Sequence, residues 1–177
     1  MFATAKAIQH RDPAAHSLLE VLLTYSGLHA LAWHRFSHQL YQHRFYLAAG
    51  ISAHLAKKIT GIEIHPGARI GRHLFIDHGA GVVIGETAIV GDNVTILHGV
   101  TLGSRHITKG RRHPIVGNNV LIGANAQILG PITIHDNAKI GAGAVVLHDV
   151  AAGHTAVGVP AQAQPQQPTK IVQLAQN

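Results

Sequence analysis

An aliphatic side chain recurs every six residues through the last two thirds of the chain. A second apolar residue stands two positions before most of these side chains, and glycine follows seven of them. Neither an α-helix nor a simple alternating strand keeps a six-residue period, whereas stacked hexapeptide coils do. The thirteen repeat positions are Ile64, Ile70, Ile76, Ile84, Val90, Ile96, Leu102, Val116, Ile122, Ile128, Ile134, Ile140 and Val146.

The repeat predicts a parallel β-helix over residues 62–160. Each hexapeptide supplies one short strand and one corner, and three of them make a triangular coil of about 18 residues. Side chains two positions apart share one face of a strand, so the repeat residue and the residue two before it should both point inward. Glycine after the repeat residue suits the backbone of the corner. Thirteen positions supply a little over four coils.

The repeat is interrupted twice. Eight residues instead of six separate Ile76 from Ile84, and fourteen separate Leu102 from Val116. The second stretch is basic and lacks apolar repeat positions, so we predict an excursion loop over residues 104–115. Because insertions in a solenoid gather on its functional face, chemistry is expected at residues 77–81 and 104–114.

Residues 1–61 lack the repeat and are predicted to form a helical segment that covers the open first coil. Asp12 and Pro13 suit the start of a helix over residues 14–24. A third helix is expected over residues 45–59, and residues 161–177, which are rich in Gln, are expected to form a flexible tail. A second helix should follow Gly27, with one face formed by Leu28, Leu31, Ala32, Phe36 and Leu40.

Composition excludes several classes of function. The chain has no cysteine, and therefore no disulfide framework and no thiol nucleophile. No apolar run approaches the roughly 18 residues of a membrane span, and no signal peptide is visible, so a cytoplasmic protein is expected. The net charge is +6, but there is no basic stripe with interleaved aromatic residues, which argues against nucleic acid. Lys109, Arg111 and Arg112 favour a small anionic ligand instead.

His78 is the strongest candidate for a general base. It lies in the first interruption, and Gly79, Ala80 and Gly81 behind it leave room for a ligand. Histidine titrates near neutral pH and works best as a base when a carboxylate holds its other ring nitrogen. Glu63 lies fifteen residues earlier, close to one coil, and is expected to stack near His78.

The second interruption ends in Arg112 and His113, a pair suited to a carboxylate because the arginine guanidinium offers two parallel donors. Asp12 could bind an ammonium group if the helical segment folds over the site. His34 and His38 are four residues apart on a predicted helix, but no third ligand has a suitable spacing, so no metal is expected.

Several motifs resemble those of serine O-acetyltransferases. The likeness runs from about residue 11 to residue 160, keeps the order and spacing of the motifs, and is closest to the short bacterial form. The motifs in this chain are Arg-Asp-Pro-Ala (11–14), Ile-Glu-Ile-His-Pro-Gly-Ala (62–68), Ile-Asp-His-Gly (76–79), Val-Val-Ile-Gly-Glu-Thr (82–87), Gly-Val-Thr-Leu-Gly (99–103), Arg-His-Pro (112–114), Lys-Ile-Gly-Ala-Gly (139–143) and Val-Gly-Val-Pro (157–160).

The resemblance implies a left-handed β-helix, which is an exception to the right-handed rule for parallel crossovers. It also implies homotrimers, which can pair into hexamers, with active sites between adjacent subunits. The implied reaction transfers the acetyl group of acetyl-CoA to the hydroxyl of L-serine, the first step of cysteine biosynthesis, without a metal.

The resemblance also assigns roles by position. His78 would be the catalytic base, and Glu63 stands where many members have aspartate. Asp12 and Asp77 would bind the substrate ammonium group. Arg112 and His113 would bind the substrate carboxylate, and His113 also belongs to the catalytic set. Gly103 and Ser104 would stabilise the oxyanion and contact the cofactor. The coenzyme A groove would be lined by Ala124, Lys139 and Ala142.

Two departures from the family limit what the resemblance implies. The family usually has Gly-Thr-Gly where this chain has Ser104, Arg105 and His106, which keeps open another hydroxyl acceptor such as homoserine or a sugar. Family members often end in isoleucine, which docks into O-acetylserine sulfhydrylase. This chain ends in Asn177, so a complex of that kind is expected to be weak or absent.

Two other classes of function also fit part of the pattern. A γ-type carbonic anhydrase shares the β-helix and binds zinc through three histidines between subunits, for which His73, His78, His98 and His113 are candidates. The Arg-Asp-Pro helical start argues against that enzyme. A non-enzymatic scaffold would leave the two interruptions unexplained.

Overall fold

The structure, a computed structural model, describes residues 1–165. Within this range four helices precede fifteen strands. The helices are α1 (Phe2–Arg11), α2 (Leu18–Thr24), α3 (Ser26–Gln42) and α4 (Tyr46–Thr60). The strands are β1 (Glu63–Ile64), β2 (Arg69–Ile70), β3 (Phe75–Ile76), β4 (Val83–Ile84), β5 (Ile89–Val90), β6 (Thr95–Ile96), β7 (Thr101–Gly103), β8 (Ile115–Val116), β9 (Leu121–Ile122), β10 (Gln127–Leu129), β11 (Thr133–Ile134), β12 (Lys139–Ile140), β13 (Val145–Val146), β14 (His154–Gly158) and β15 (Ala161–Pro165).

The strands form a left-handed parallel β-helix with three faces, as predicted. Face A contains β1, β4, β7, β10 and β13, face B contains β2, β5, β8 and β11, and face C contains β3, β6, β9, β12, β14 and β15. Up to β13, every third strand therefore returns to the same face, which is the arrangement that three hexapeptides per coil require. The chain turns from face C to face A at corner C/A, and from face A to face B at corner A/B.

The repeat residues form the core, which confirms the predicted inward orientation. On face A, Ile64 pairs with Ile84, Ile84 with Leu102, Leu102 with Ile128, and Ile128 with Val146. All thirteen repeat residues are buried except Ile70, which is partly buried at the open first coil. The core is thus a column in which each coil buries the apolar side chains of the next.

The helical segment differs from the prediction at its start. Residues 2–11 form α1, which the sequence analysis did not predict, and Asp12 ends this helix instead of beginning the next one. Helix α2 begins at Leu18 because Ser17 is its N-cap: Ser17 Oγ accepts a hydrogen bond from the Glu20 N–H at 3.1 Å. Glu20 Oε2 in turn accepts from the His16 N–H, and together the two bonds fix the helix start.

The predicted apolar face of α3 is also partly wrong. Leu28 and Leu31 are buried as expected, whereas Ala32 and Phe36 are exposed. The buried face runs instead through small and polar residues, and Ser37 Oγ donates a hydrogen bond to Ser52 Oγ of α4 at 2.8 Å. Small residues allow α3 and α4 to approach closely, and a pattern of large apolar residues does not reveal that approach.

One close contact places the helices beside the first interruption of the repeat. A Cβ atom at Gly27 would lie 2.3 Å from the carbonyl oxygen of Ile76, so only glycine allows α3 to begin against β3. Arg11 at the end of α1 donates hydrogen bonds to the carbonyl oxygens of His73 and Asn93 on the first two coils. These contacts hold Asp12, the next residue along the chain, close to residues 77–81.

Two predicted boundaries need correction. Ile115 belongs to β8 and pairs with Ile89, so the excursion loop is 104–114. Residues 161–165 are not part of a tail but form β15, which pairs antiparallel with β14 and adds an outer strand to face C. The predicted flexibility of the rest of the tail, and the prediction based on Asn177, concern residues that lie outside the described range.

Of the helices within residues 1–165, none is both long enough and apolar enough to span a membrane.

A buried histidine makes the stability of the fold sensitive to acid. His34 is only 5% exposed and its ring stacks on that of His38 with centroids 5.5 Å apart. Burial, with the positive charge of His38 as the next cause, lowers the pKa of His34 to about 4. Below pH 6.5, the ordinary value, the unfolded chain takes up a proton at this site that the folded chain does not, so acidification favours unfolding until about pH 4.

We therefore expect acidification from pH 7 to pH 5 to reduce the free energy of unfolding of the unmodified protein by about 2 kcal/mol more than that of a His34→Phe variant. Urea unfolding at one fixed protein concentration and at both pH values measures this difference. His135→Ala, at an exposed histidine, serves as the control and should behave like the unmodified protein. Equal acid sensitivity of His34→Phe and the unmodified protein would contradict the expectation.

Candidate active site

Five of the predicted site residues lie in two clusters at the two corners that border face A. The C/A cluster consists of Asp12, Tyr25, Asp77 and His78, and these residues line one cavity of about 380 Å³. The A/B cluster consists of Tyr41, Glu86, Thr87, Arg112 and His113, which are joined by hydrogen bonds. A single chain therefore presents two separate groups of polar residues, one on each side of face A.

The turn after β3 exposes His78. Its backbone φ is 57°, a conformation that histidine tolerates better than most residues, and 79% of its side chain is exposed. A Cβ atom at Gly79 would lie 2.4 Å from Cδ1 of Ile62, so the turn packs directly on the first coil. Nε2 of His78 lies 3.9 Å from Oδ1 of Asp77, too far for a hydrogen bond. The imidazole is consequently free to meet a ligand.

Asp12 is prepared to bind a cation. Its carboxylate accepts hydrogen bonds from the Tyr25 hydroxyl at 2.6 Å and from the Ala14 N–H at 2.9 Å. These two bonds, that of Tyr25 foremost, lower the pKa of Asp12, and the same contact raises the pKa of Tyr25 to about 12. Asp12 therefore stays anionic and Tyr25 stays a donor throughout the physiological range.

Arg112 is held in the A/B cluster by Glu86. Its Nη2 donates to Glu86 Oε2 at 2.6 Å, and the hydroxyl of Tyr41 donates to Oε1 of the same carboxylate at 3.0 Å. Burial opposes the ionisation of Glu86, but the hydrogen bonds from Tyr41 and Arg112 outweigh burial, and the pKa of Glu86 is lowered. The guanidinium is thus fixed in place while it keeps other N–H groups for a ligand.

His113 is fixed in one tautomer by Thr87. Its Nδ1 accepts a hydrogen bond from the Thr87 N–H at 3.1 Å and lies 2.9 Å from Thr87 Oγ1. Since Oγ1 already accepts from the N–H groups of Arg112 and His113, its proton points to Nδ1. Burial lowers the pKa of His113, so the ring is neutral with its proton on Nε2. A Cβ atom at Gly85 would lie 2.2 Å from Nε2, so only glycine leaves space for this ring.

The structure does not bring Glu63 to His78 as predicted. Glu63 projects from β1 and pairs with Lys57 of α4, whose Nζ lies 2.6 Å from Oε2. Within the described chain its only ion pair is with Lys57, and the carboxylate nearest to His78 is Asp77. One coil at this level is 20 residues long, so Glu63 pairs with Val83 and does not stack near His78. The sequence also did not show that α4 places a cation over β1.

The residues predicted to hold the cofactor are divided between the corners. Ala124 and Ala142 stack at corner C/A, where the Gly143 N–H donates to the Ala124 carbonyl at 2.8 Å. Lys139 is exposed on β12 of face C. Gly103 ends β7 on face A, and Ser104 opens the excursion loop, where its hydroxyl bonds to the backbone of His106.

Sequence reasoning missed four residues that shape the site, Tyr25, Tyr41, Glu86 and Thr87. Glu86 and Thr87 follow the repeat residue and glycine at Ile84 and Gly85, so a polar pair at a corner was a visible signal. Tyr25 gave no such signal because its contact with Asp12 depends on how α1 and α2 are joined.

Comparisons of the sequence and of the structure with known proteins lead to the same family. Residues 113–148 match the family described as Bacterial transferase hexapeptide (six repeats). The chain is 57% identical over 155 residues to a serine acetyltransferase of Helicobacter pylori, which covers 88% of this chain and 91% of that protein. It is 53% identical over 161 residues to the serine acetyltransferase of Bacillus subtilis, covering 91% of this chain and 74% of that protein.

Solved serine acetyltransferase structures share the fold. The Neisseria gonorrhoeae enzyme gives a TM-score of 0.91 at 46% identity and covers 95% of this chain. A Brucella abortus enzyme in complex with coenzyme A gives 0.90 at 42% identity over 95% of this chain, and the soybean enzyme complexed with serine gives 0.89 at 46% identity over 92%. The chain spans 65% of the first of these solved chains and 67% of the other two.

Proposed function

Because this chain belongs to the serine acetyltransferase family, we propose that it transfers the acetyl group of acetyl-CoA to the hydroxyl of L-serine. The products are O-acetylserine and CoA, and the reaction begins the synthesis of cysteine. The observation that carries the proposal is the pair of polar clusters, because the charges of one complement the ammonium group of serine and those of the other complement its carboxylate.

The two clusters complete one site only if chains associate. They lie at opposite edges of face A, so corner C/A of one subunit can meet corner A/B of the next around a three-fold axis. Such a head-to-tail contact closes into a ring of three with three equivalent sites. We propose a homotrimer in which each active site takes His78 from one subunit and Arg112 from its neighbour.

In the proposed site, serine is held through its two charged groups, the ammonium and the carboxylate. Asp12 and Asp77 line the cavity beside His78 and supply two carboxylates for the ammonium group. Arg112 of the adjacent subunit offers its guanidinium to the carboxylate, and Nε2 of His113 donates a hydrogen bond. Because burial keeps His113 neutral and Nδ1 is occupied by Thr87, this residue acts as a donor and not as a base.

His78 accepts the proton of the serine hydroxyl as the oxygen attacks the thioester carbonyl carbon. A C–O bond forms, the C–S bond breaks, and the electron pair leaves with the sulfur of CoA. We propose that backbone N–H groups near Gly103 and Ser104 stabilise the negative charge on the carbonyl oxygen, as in an oxyanion hole. His78 retains the hydroxyl proton until it returns to the thiolate.

The acetyl-CoA site is proposed to follow corner C/A. There the corner residues of successive coils are small, with Gly99, Ala124 and Ala142 leaving a groove beside the exposed cation of Lys139. The excursion loop of the adjacent subunit, which leaves the coil at corner A/B, is proposed to border the acetyl end. Within one chain the side chain of Arg105 approaches Gly130 of the next coil, where a Cβ atom would meet its Cδ at 3.2 Å.

The substrate is tested by an acceptor panel. We expect purified protein with acetyl-CoA to release thiol rapidly with L-serine, and at least about 100-fold more slowly with D-serine, L-homoserine or a sugar, because the two clusters fix the distance between ammonium, carboxylate and hydroxyl. Chromatography of the product identifies O-acetylserine. Faster acetylation of homoserine or a sugar would contradict the proposal and support a different acceptor.

A further inference from the structure

We propose that His98 contacts the sulfur of acetyl-CoA and donates a hydrogen bond to it as the C–S bond breaks, which deepens, and rests on, the proposed function. His98 lies at corner C/A, one coil above His78, and the two rings meet edge to face with centroids 6.5 Å apart. His98 belongs to neither of the two clusters, and it is a histidine whose ring lies next to that of the proposed base.

Backbone hydrogen bonds order this corner from coil to coil. The Gly99 N–H donates to the Ala80 carbonyl at 2.9 Å, and the Asn125 N–H donates to the His98 carbonyl at 2.8 Å. The next step is the bond from the Gly143 N–H to the Ala124 carbonyl. Along the corner, His98 therefore stands between His78 on the first coil and the small residues of the proposed coenzyme A groove on the third and fourth.

This order determines which atom of the substrate reaches His98. The serine oxygen must be within hydrogen-bond distance of His78, and the carbonyl carbon lies next to that oxygen. The leaving sulfur lies on the far side of that carbon, in the direction of the groove that holds the rest of CoA. Successive coils are about 4.8 Å apart, so a side chain one coil above His78 can contact a ligand atom that lies beyond the serine oxygen in the direction of the groove. His98, one coil above His78, is thus placed to reach the expected position of the sulfur.

His98 is free to make this contact. The residue is exposed, and among residues 1–165 neither of its ring nitrogens has a hydrogen-bond partner. An imidazole always carries at least one N–H, and a donor placed at a developing thiolate stabilises it. In the balanced step, the hydroxyl proton passes to His78, the C–O bond forms, the C–S bond breaks, and the thiolate is held by His98 until it receives the proton from His78.

Kinetics of three variants test the role of His98. We expect His98→Ala to lower kcat about 10- to 100-fold with little change in the KM for serine, because a hydrogen bond to a charged group is lost only as the bond breaks. His98→Gln, which keeps an N–H donor, should recover most of the loss. His135→Ala, at an exposed histidine on face B, is the control and should leave kcat unchanged. A kcat of His98→Ala within about threefold of the unmodified protein would overturn the proposal.

A binding experiment tests the contact with sulfur without turnover. CoA and desulfo-CoA differ only in the thiol, so His98→Ala should weaken the binding of CoA more than that of desulfo-CoA in calorimetry. Equal weakening of both ligands would exclude the sulfur contact. The result does not depend on the acceptor, so failure of this inference is distinguishable from failure of the proposed function, which would appear as an absence of O-acetylserine with the unmodified protein.

Discussion

Replacement of His78 by asparagine or alanine is expected to lower kcat for serine acetylation by about 10²- to 10⁴-fold, the usual contribution of a general base. The exposed imidazole lines the cavity that also contains Asp12 and Asp77, and in the proposed site it accepts the hydroxyl proton. The loss should fall on kcat, because serine is held through its charged groups by other residues. Thiol release at saturating serine measures the effect.

Asparagine is the better replacement because the φ of 57° at His78 strains most side chains, and asparagine tolerates it. The chain offers a matched control in His73, which is also a histidine at a corner of the first coil, with a φ of 58°. His73→Asn should retain full activity, and both variants should keep the oligomeric state of the unmodified protein. Full activity of His78→Asn would exclude His78 as the base, whereas equal losses in both variants would point to distortion of the corners.

The β-helix could be predicted from the sequence because its core consists of one repeated unit. The inward side chain at each repeat position stacks on the side chain at the corresponding repeat position one coil away. A single period therefore specifies both where a strand lies in the sequence and which strand it pairs with. The register of Ile84 with Leu102 and of Leu102 with Ile128 follows from counting three repeat positions along the chain, even across the excursion loop. A non-repetitive fold gives no such rule.

The helices were predicted less well because contacts between unlike elements decide their positions. Ser17 outcompetes Asp12 as the N-cap of α2, and Gly27 packs against Ile76 in a contact that no pattern of apolar residues announces. The buried polar pair of Ser37 and Ser52 replaces part of the apolar face expected for α3. Small residues at close contacts carry little signal in a hydrophobic pattern, although they fix the packing.

The same limit applies to the candidate site. The interruptions of the repeat pointed to stretches of chain that contribute residues to both clusters, because an insertion must leave the coil at a corner. They did not show that His78 and Arg112 occupy different corners, that Lys57 engages Glu63, or that Thr87 fixes the tautomer of His113. Those facts depend on the direction of side chains at the corners, which the period leaves open.

The separation of the clusters leads to the second large effect, complementation between two inactive proteins. His78→Ala removes the base at corner C/A, and Arg112→Ala removes the carboxylate donor at corner A/B. Each variant alone should have little activity. In a mixed trimer, one site combines the intact corner C/A of an Arg112→Ala subunit with the intact corner A/B of a His78→Ala subunit. Mixed trimers should therefore have about one third of the activity of the unmodified trimer.

Coexpression of the two variants with different affinity tags, followed by sequential purification on both, isolates the mixed trimers. The matched control pairs His78→Ala with Asp12→Ala, two changes that affect the same corner. No site in that mixture contains an intact corner C/A, so it should stay inactive. If each active site were formed within one chain, neither mixture would regain activity, because every chain would carry a defect. Recovery in the first mixture alone therefore requires that His78 and Arg112 act from neighbouring subunits.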